Sequence, residues 1–213
     1  RLSKIDQNLT ERMGKIDARR TERKTKIEDR VDERKDRVTE HRERMDERLS
    51  EHMAKIEERA ATETQKQAVA AFRTAMTQAI NARRTAVDQA VNAFHGTVGQ
   101  LVAQRKTTID QAISAAKSAK QAAFDKAKTD CAASVDARTV RENLVAAIKS
   151  TKDTFTITVK AAQDAFRTSF EAAKNTKKAA FEKAHADFKA ALEKAKADLK
   201  AVLGNTGSTS TTP

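Results

Sequence analysis

An apolar residue recurs every eleven positions at the start of the chain, at Ile5, Ile16, Ile27, Val38 and Leu49. The text between these rungs repeats as well. LTERMGKIDAR (9–19) is followed by RTERKTKIEDR (20–30), VDERKDRVTEH (31–41), RERMDERLSEH (42–52) and MAKIEERAATE (53–63). Eleven residues close three helical turns at about 3.67 residues per turn, so each rung returns to nearly the same face of one straight helix. Internal repetition of this kind decides the architecture before any other feature does. Here it predicts an all-α protein of long hendecad-repeat helices.

Composition points the same way. Among 213 residues there are five Gly and one Pro, and 34% are charged. A chain rich in Ala, Lys, Glu, Arg and Asp is one of long helices or coiled coils. No run of alternating β-branched residues bounded by turns suggests a strand. Trp and Tyr are absent, and the apolar residues lie along thin stripes, so a single compact core is not expected.

The first repeats form a very polar helix over 1–62. Glu11 with Lys15, Glu22 with Lys26, Glu33 with Arg37 and Glu40 with Arg44 are spaced for i,i+4 ion pairs, each worth roughly 0.2–0.5 kcal/mol. Arg20, Arg23 and Arg34 interrupt the stripe where apolar residues belong. Such a helix stands exposed or pairs loosely, and does not fill a dry core.

Near Thr62 the phase changes. Residues 62–65, Thr-Glu-Thr-Gln, fit a capping box, so either a helix restarts there or a continuous helix absorbs a skip residue, and the second segment spans 63–138. Its ladder is Val69, Ile80, Val91, Val102, Ile113 and Phe124, continuing to Val135, beside Met76, Val87, Val98, Ile109, Phe72 and Phe94. Gly96 and Gly99 fall inside it and suggest a close approach of another backbone, a bend or a turn. Residues 139–142, Thr-Val-Arg-Glu, fit a second capping box, so the turn is placed at 136–139 and a third helix over 139–204. Its ladder runs Leu144, Phe155, Phe166, Phe188 and Leu199, with a second row through Phe170, Phe181 and Leu192. Ala162, Ala173, Ala184 and Ala195 form a third row. Small Ala beside large Phe and Leu lets helices approach closely, and Phe166, Phe170, Phe181 and Phe188 are the residues expected to matter most. Gly204 is the expected helix stop, ahead of a flexible Ser/Thr-rich tail over 205–213.

The segments of about 60, 75 and 65 residues would each reach roughly 90–110 Å at ~1.5 Å per residue. The expected arrangement is an elongated coiled coil, a long helical hairpin or a three-helix bundle.

Net charge is +12, unevenly placed. Residues 1–63 carry 18 Lys/Arg against 17 Asp/Glu, and the remainder carries 24 against 13. The downstream excess can draw an anionic polymer or surface. No apolar run approaches the ~20 residues of a membrane span. A chain that begins at Arg1 rather than Met suggests an upstream segment, either a removed secretory signal or residues left out.

From Cys131 onward, Asp153, Thr154 and Phe155, then Val159 and Lys160, lead into KAAF- and FKAAL-type repeats to about residue 203. This third of the chain resembles a loose group of uncharacterised Ala/Lys-rich helical proteins of ultra-small bacteria, often preceded by a signal peptide. Members commonly carry Trp at the large-aromatic positions and a second Cys near the end. This sequence has Phe or Leu there and a single Cys. The resemblance implies secretion or surface display and brings no activity with it.

No catalytic, cofactor or metal-binding motif is found. HExxH, CxxC, GxSxG and a phosphate-binding Gly-rich loop are all missing. His41 and His52 are eleven apart, too far for shared ligation from one helix, and thin-striped helices offer no pocket for a carboxylate pair. Cys131 lies on the apolar ladder, either as a small buried residue or as the site of an interchain disulfide. The expected role is a non-enzymatic, self-associating structural coiled coil, a homo-oligomer or a subunit of an extracellular filament or surface fibre. The alternatives are nucleic-acid packaging by the Lys-rich segment and an amphipathic lipid-surface or stress-protection protein. Outside the cell is the expected location, with the cytoplasm as the alternative.

Overall fold

The structure, a computed structural model, describes the backbone of residues 2–205 and the side chains from Glu11 onward, except those of residues 12, 13 and 205. The side chain of Ile5 and the tail from residue 206 lie outside the described residues. Three helices make up nearly all of the rest: α1 (Leu2–Glu58), α2 (Glu63–Ala132) and α3 (Ala137–Asn205). The protein is all-α, and no strand occurs among the described residues. None of its helices is long and apolar enough to cross a membrane, among the described residues.

The break between α1 and α2 falls where the sequence places it. The Gln65 backbone N–H donates to Thr62 Oγ1 at 3.2 Å, and the N–H groups of Ala61 and Thr62 donate to Gln65 Oε1 at 2.8 and 3.2 Å. The first N–H groups of a helix have no partner within it. The box supplies one here and ties down the incoming chain as well.

The α2–α3 turn differs from expectation. It occupies 133–136, three residues early, because two local devices outcompete the Thr139 box. The Ser134 N–H donates to the Cys131 carbonyl and the Val135 N–H to the Asp130 carbonyl, both at 3.1 Å. Ser134 sits at φ 58°. This is a Schellman ending with Ser in the left-handed position usually given to Gly. Asp136 then caps α3: the Thr139 backbone N–H donates to Asp136 Oδ2 at 2.9 Å, and the Thr139 hydroxyl donates to it at 3.1 Å. Thr139 is therefore a donor inside the first turn rather than the cap. Glu142 is engaged by Arg138 at 2.9 Å instead.

The described residues divide into two compact units, 2–73 with 199–205, and 74–198. In the first, the end of α1 folds back on the start of α2. Met53 and Val69 are only 1% and 2% exposed, and the Arg73 guanidinium reaches the Glu57 carboxylate at 3.3 Å and the Ser50 hydroxyl at 3.4 Å. The second unit is an antiparallel hairpin of α2 and α3. Its buried side chains are small: Ala79, Ala112, Val140, Ala184 and Ala195. Alanines of this kind let the two helices come close.

The glycines play a smaller part than expected. A Cβ added to Gly96 or Gly99 would meet nothing within 4 Å, so no backbone approaches there, and α2 runs through both as helix. Gly204 is not a stop either. It has no positive φ, and α3 continues to Asn205.

Two outcomes are expected. Gly99→Ala removes the backbone-entropy cost of a mid-helix glycine without creating a clash, and should raise stability by about 1 kcal/mol in chemical denaturation. The Asp136 carboxyl is held below its ordinary range first by the Thr139 backbone N–H and then by the Thr139 hydroxyl. Folding therefore favours its ionised form. That contribution is complete above the ordinary carboxylate range and is lost as pH falls through the lowered value. The melting-temperature gap between the parent and Asp136→Ala should be open at neutral pH and narrow as the solution is acidified.

Candidate interaction surface

The predicted ladder positions separate into three environments. On α1, Ile16, Ile27 and Val38 stand exposed, Ile27 at 61%, and Leu49 is half-buried. On α2, Val69 is buried, Ile80, Val91, Ile113 and Phe124 are half-buried, and Val102 is exposed. On α3, Leu144, Phe155, Phe166, Phe170, Phe181, Phe188, Leu192 and Leu199 are all half-buried. None of the eight is fully enclosed.

Within the hairpin, one eleven-residue row of α2 meets one eleven-residue row of α3. Arg83 lies over the Phe188 ring, its guanidinium carbon 5.5 Å from the centroid. Eleven residues on, Phe94 receives the Lys177 ammonium 4.2 Å from its centroid. Eleven further, Arg105 lies over Phe166 at 5.3 Å. Each step up α2 is matched by the same step down α3, and cation and ring change sides at each rung. Phe94 also meets Phe170 edge-on at 5.8 Å, and Phe166 stacks on Phe170 at 5.9 Å. Such contacts contribute roughly 0.5–1.5 kcal/mol per aromatic pair and roughly 0.5–1 per exposed cation–π pair.

These cations escape a reading based on apolar residues alone. The third ladder omits residue 177, between Phe166 and Phe188, because Lys177 is charged. Arg83 and Arg105 are passed over for the same reason, although each is eleven from Phe94. The signal is the row itself: a Lys or Arg in phase with Phe rungs, facing a row where Phe and cation alternate out of step.

On α1 the predicted acid–base spacings are filled in part. Lys26 meets Glu22 at 2.6 Å and Arg44 meets Glu40 at 3.7 Å, while the Arg37 side chain donates to the backbone carbonyl of Glu33 at 3.2 Å. Cys131 is a free thiol and is exposed, which overturns the buried reading and leaves it open to a partner. His41, His52, His95 and His185 are exposed. Among the described residues no cluster of three His, Cys, Asp or Glu side chains is placed to hold a metal. Comparison of the chain with family models, curated proteins and solved structures gave no match.

A double-mutant cycle on Phe94→Leu and Lys177→Met should return a coupling of about 0.5–1 kcal/mol in urea denaturation. Additive effects would show that this rung does not hold the register.

Proposed function

We propose that the protein is a non-enzymatic structural element that self-associates through the half-covered face of its α2–α3 hairpin. The observation that carries this reading is the state of the α3 aromatic ladder. Seven large apolar residues of α3 within the hairpin, Leu144 to Leu192, are each covered only in part. Completing their burial gains roughly 25 cal/mol per Å² of apolar surface removed from water. Away from that face, Val145 and Ile157 on the side and back of α3 are 58% and 69% exposed. A second hairpin of the same sequence offers the same eleven-residue spacing, so each apolar row finds a matching row.

A head-to-tail contact between identical copies grows an open filament, whereas a two-fold one closes as a dimer. The filament or surface fibre is the form we favour. The exposed Cys131 would allow an interchain disulfide between neighbouring copies in an oxidising compartment. The resemblance of the final third to signal-bearing helical proteins supports a place outside the cell.

Electron microscopy and sedimentation of the purified protein at physiological salt test the proposal, without nucleic acid or lipid. Filaments or discrete oligomers are the expected result. Phe155→Ser with Phe181→Ser, both half-buried on the α3 ladder face, should return the protein to a single-copy species with helical content retained, whereas Ile157→Lys, on the opposite side of α3, should leave assembly unchanged. A parent protein that sediments as one copy at all concentrations would sink the reading.

A further inference from the structure

The near-neutral charge of α1 conceals a sharp division by face. The residues at −4, +3 and +4 from each rung share its helix face, and the −1 position borders that face on one side. From Lys15 to Met53 these positions hold Arg19, Arg20, Arg23, Lys26, Arg30 and Arg34, among other bases, with apolar residues and His, and not one Asp or Glu. The acids of that stretch, from Asp17 and Glu22 to Glu51, stand at the edges or on the back, Asp46 coming nearest a rung at three residues before Leu49. Between residues 14 and 48 no side chain is buried, and the apolar residues within the basic face, Ile16, Ile27, Val38 and Met45, are exposed.

We infer that this face of α1 is a docking surface for an anionic phospholipid bilayer, with the helix lying flat on the headgroups. Three observations carry it. First, the occupant must be negative: two copies placed face to face bring Arg against Arg whether parallel or antiparallel, so a symmetric pairing through this face is disfavoured. Second, because eleven residues close three turns, the face does not drift around the helix. It stays on one side for roughly 50 Å at ~1.5 Å per residue, which suits a flat charged plane better than the curving phosphates of a duplex. Third, the exposed Ile, Val and Met side chains sit among long Arg and Lys stems. Apolar groups can then enter the headgroup boundary while the cations stay at the phosphate level.

The pairs that hold face residues within the helix, Arg20 with Asp17 at 3.1 Å and Lys26 with Glu22 at 2.6 Å, are exposed. Exposed pairs of this sort are weak enough to exchange for lipid phosphate. The apolar stripe is thin, so the charge carries most of the attraction and binding is salt-sensitive.

This surface is carried by α1 and the self-association face by α3, so different substitutions test the two. The full-length protein is floated with vesicles of phosphatidylcholine alone and of phosphatidylcholine with a minor fraction of phosphatidylserine, at low and high salt. Binding is expected only to the anionic vesicles and only at low to moderate salt. Each face base near the surface contributes about fivefold, so Arg23→Glu with Arg34→Glu should lower binding at least about tenfold. Arg44→Glu with Lys55→Glu, the same change in charge off the face, should leave it within about twofold of the parent. Ile16→Ser with Ile27→Ser should weaken vesicle binding without altering helical content. If the Glu substitutions reduce helicity, Arg23→Gln with Arg34→Gln replaces them and should show a smaller loss in the same direction. Equal losses from on-face and off-face reversals would overturn the inference. Binding to neutral vesicles, or binding to duplex DNA with none to anionic vesicles, would overturn it too.

Discussion

The register of the hairpin depends on a row of cations laid over rings. Arg83 on Phe188, Lys177 on Phe94 and Arg105 on Phe166 are three rungs at one spacing. Two helices with purely apolar rows at an eleven-residue step could slide by one whole repeat and find nearly the same contacts. Alternating cation and aromatic on both rows changes that. A slip of eleven one way sets Arg83 against Lys177 and Phe94 against Phe166, and the other way Arg105 against Lys177 and Phe94 against Phe188, so either slip brings two cations together. The cost of a like-charge contact then adds to the loss of the attraction. The Phe94–Phe170 edge contact reinforces the choice from the adjoining row.

Close approach and complete burial are separate achievements, and this hairpin has only the first. The alanines on the inner rows let the backbones come near, and they are among the few buried side chains. The phenylalanines beside them reach past the partner helix and remain half in water. Two helices define a line of contact rather than an enclosed volume, so large side chains flanking that line cannot be wrapped from both sides. A hairpin made this way holds its register well and leaves its apolar surface available.

Much of the fold was legible because periodicity and backbone capping are local properties. The eleven-residue step predicts straight helices, and the Thr62–Gln65 box sits as its spacing requires. The second turn was misplaced because two motifs compete over a few residues. Thr139 and Glu142 have the spacing of a box, but Asp136 is a better acceptor one turn earlier. The Schellman ending at Ser134 is hard to read when the left-handed position holds Ser rather than Gly. Burial was less legible still. A rung on a periodic row declares that it shares a face with other rungs, and says nothing of whether a neighbour covers that face. Ile27 and Val69 are both rungs by spacing. One is bare and the other enclosed, because only the second lies where α1 folds back on α2.

One period serves different chemistry in the two regions. In α2 and α3 it aligns rings, cations and alanines, so the repeat sets how one helix meets another. In α1 the same step aligns bases on one face and acids on the other, which leaves a sum near zero and a strong transverse asymmetry. A helix can be neutral as a count and still be a charged surface. The field at a face is set by the charges on that face, and those on the back are weakened by distance and salt. The eleven-residue repeat keeps the two faces apart for the length of the helix. A seven-residue pattern would let them wind around a straight helix and average out. Straightness is therefore the property that turns this charge order into a usable surface.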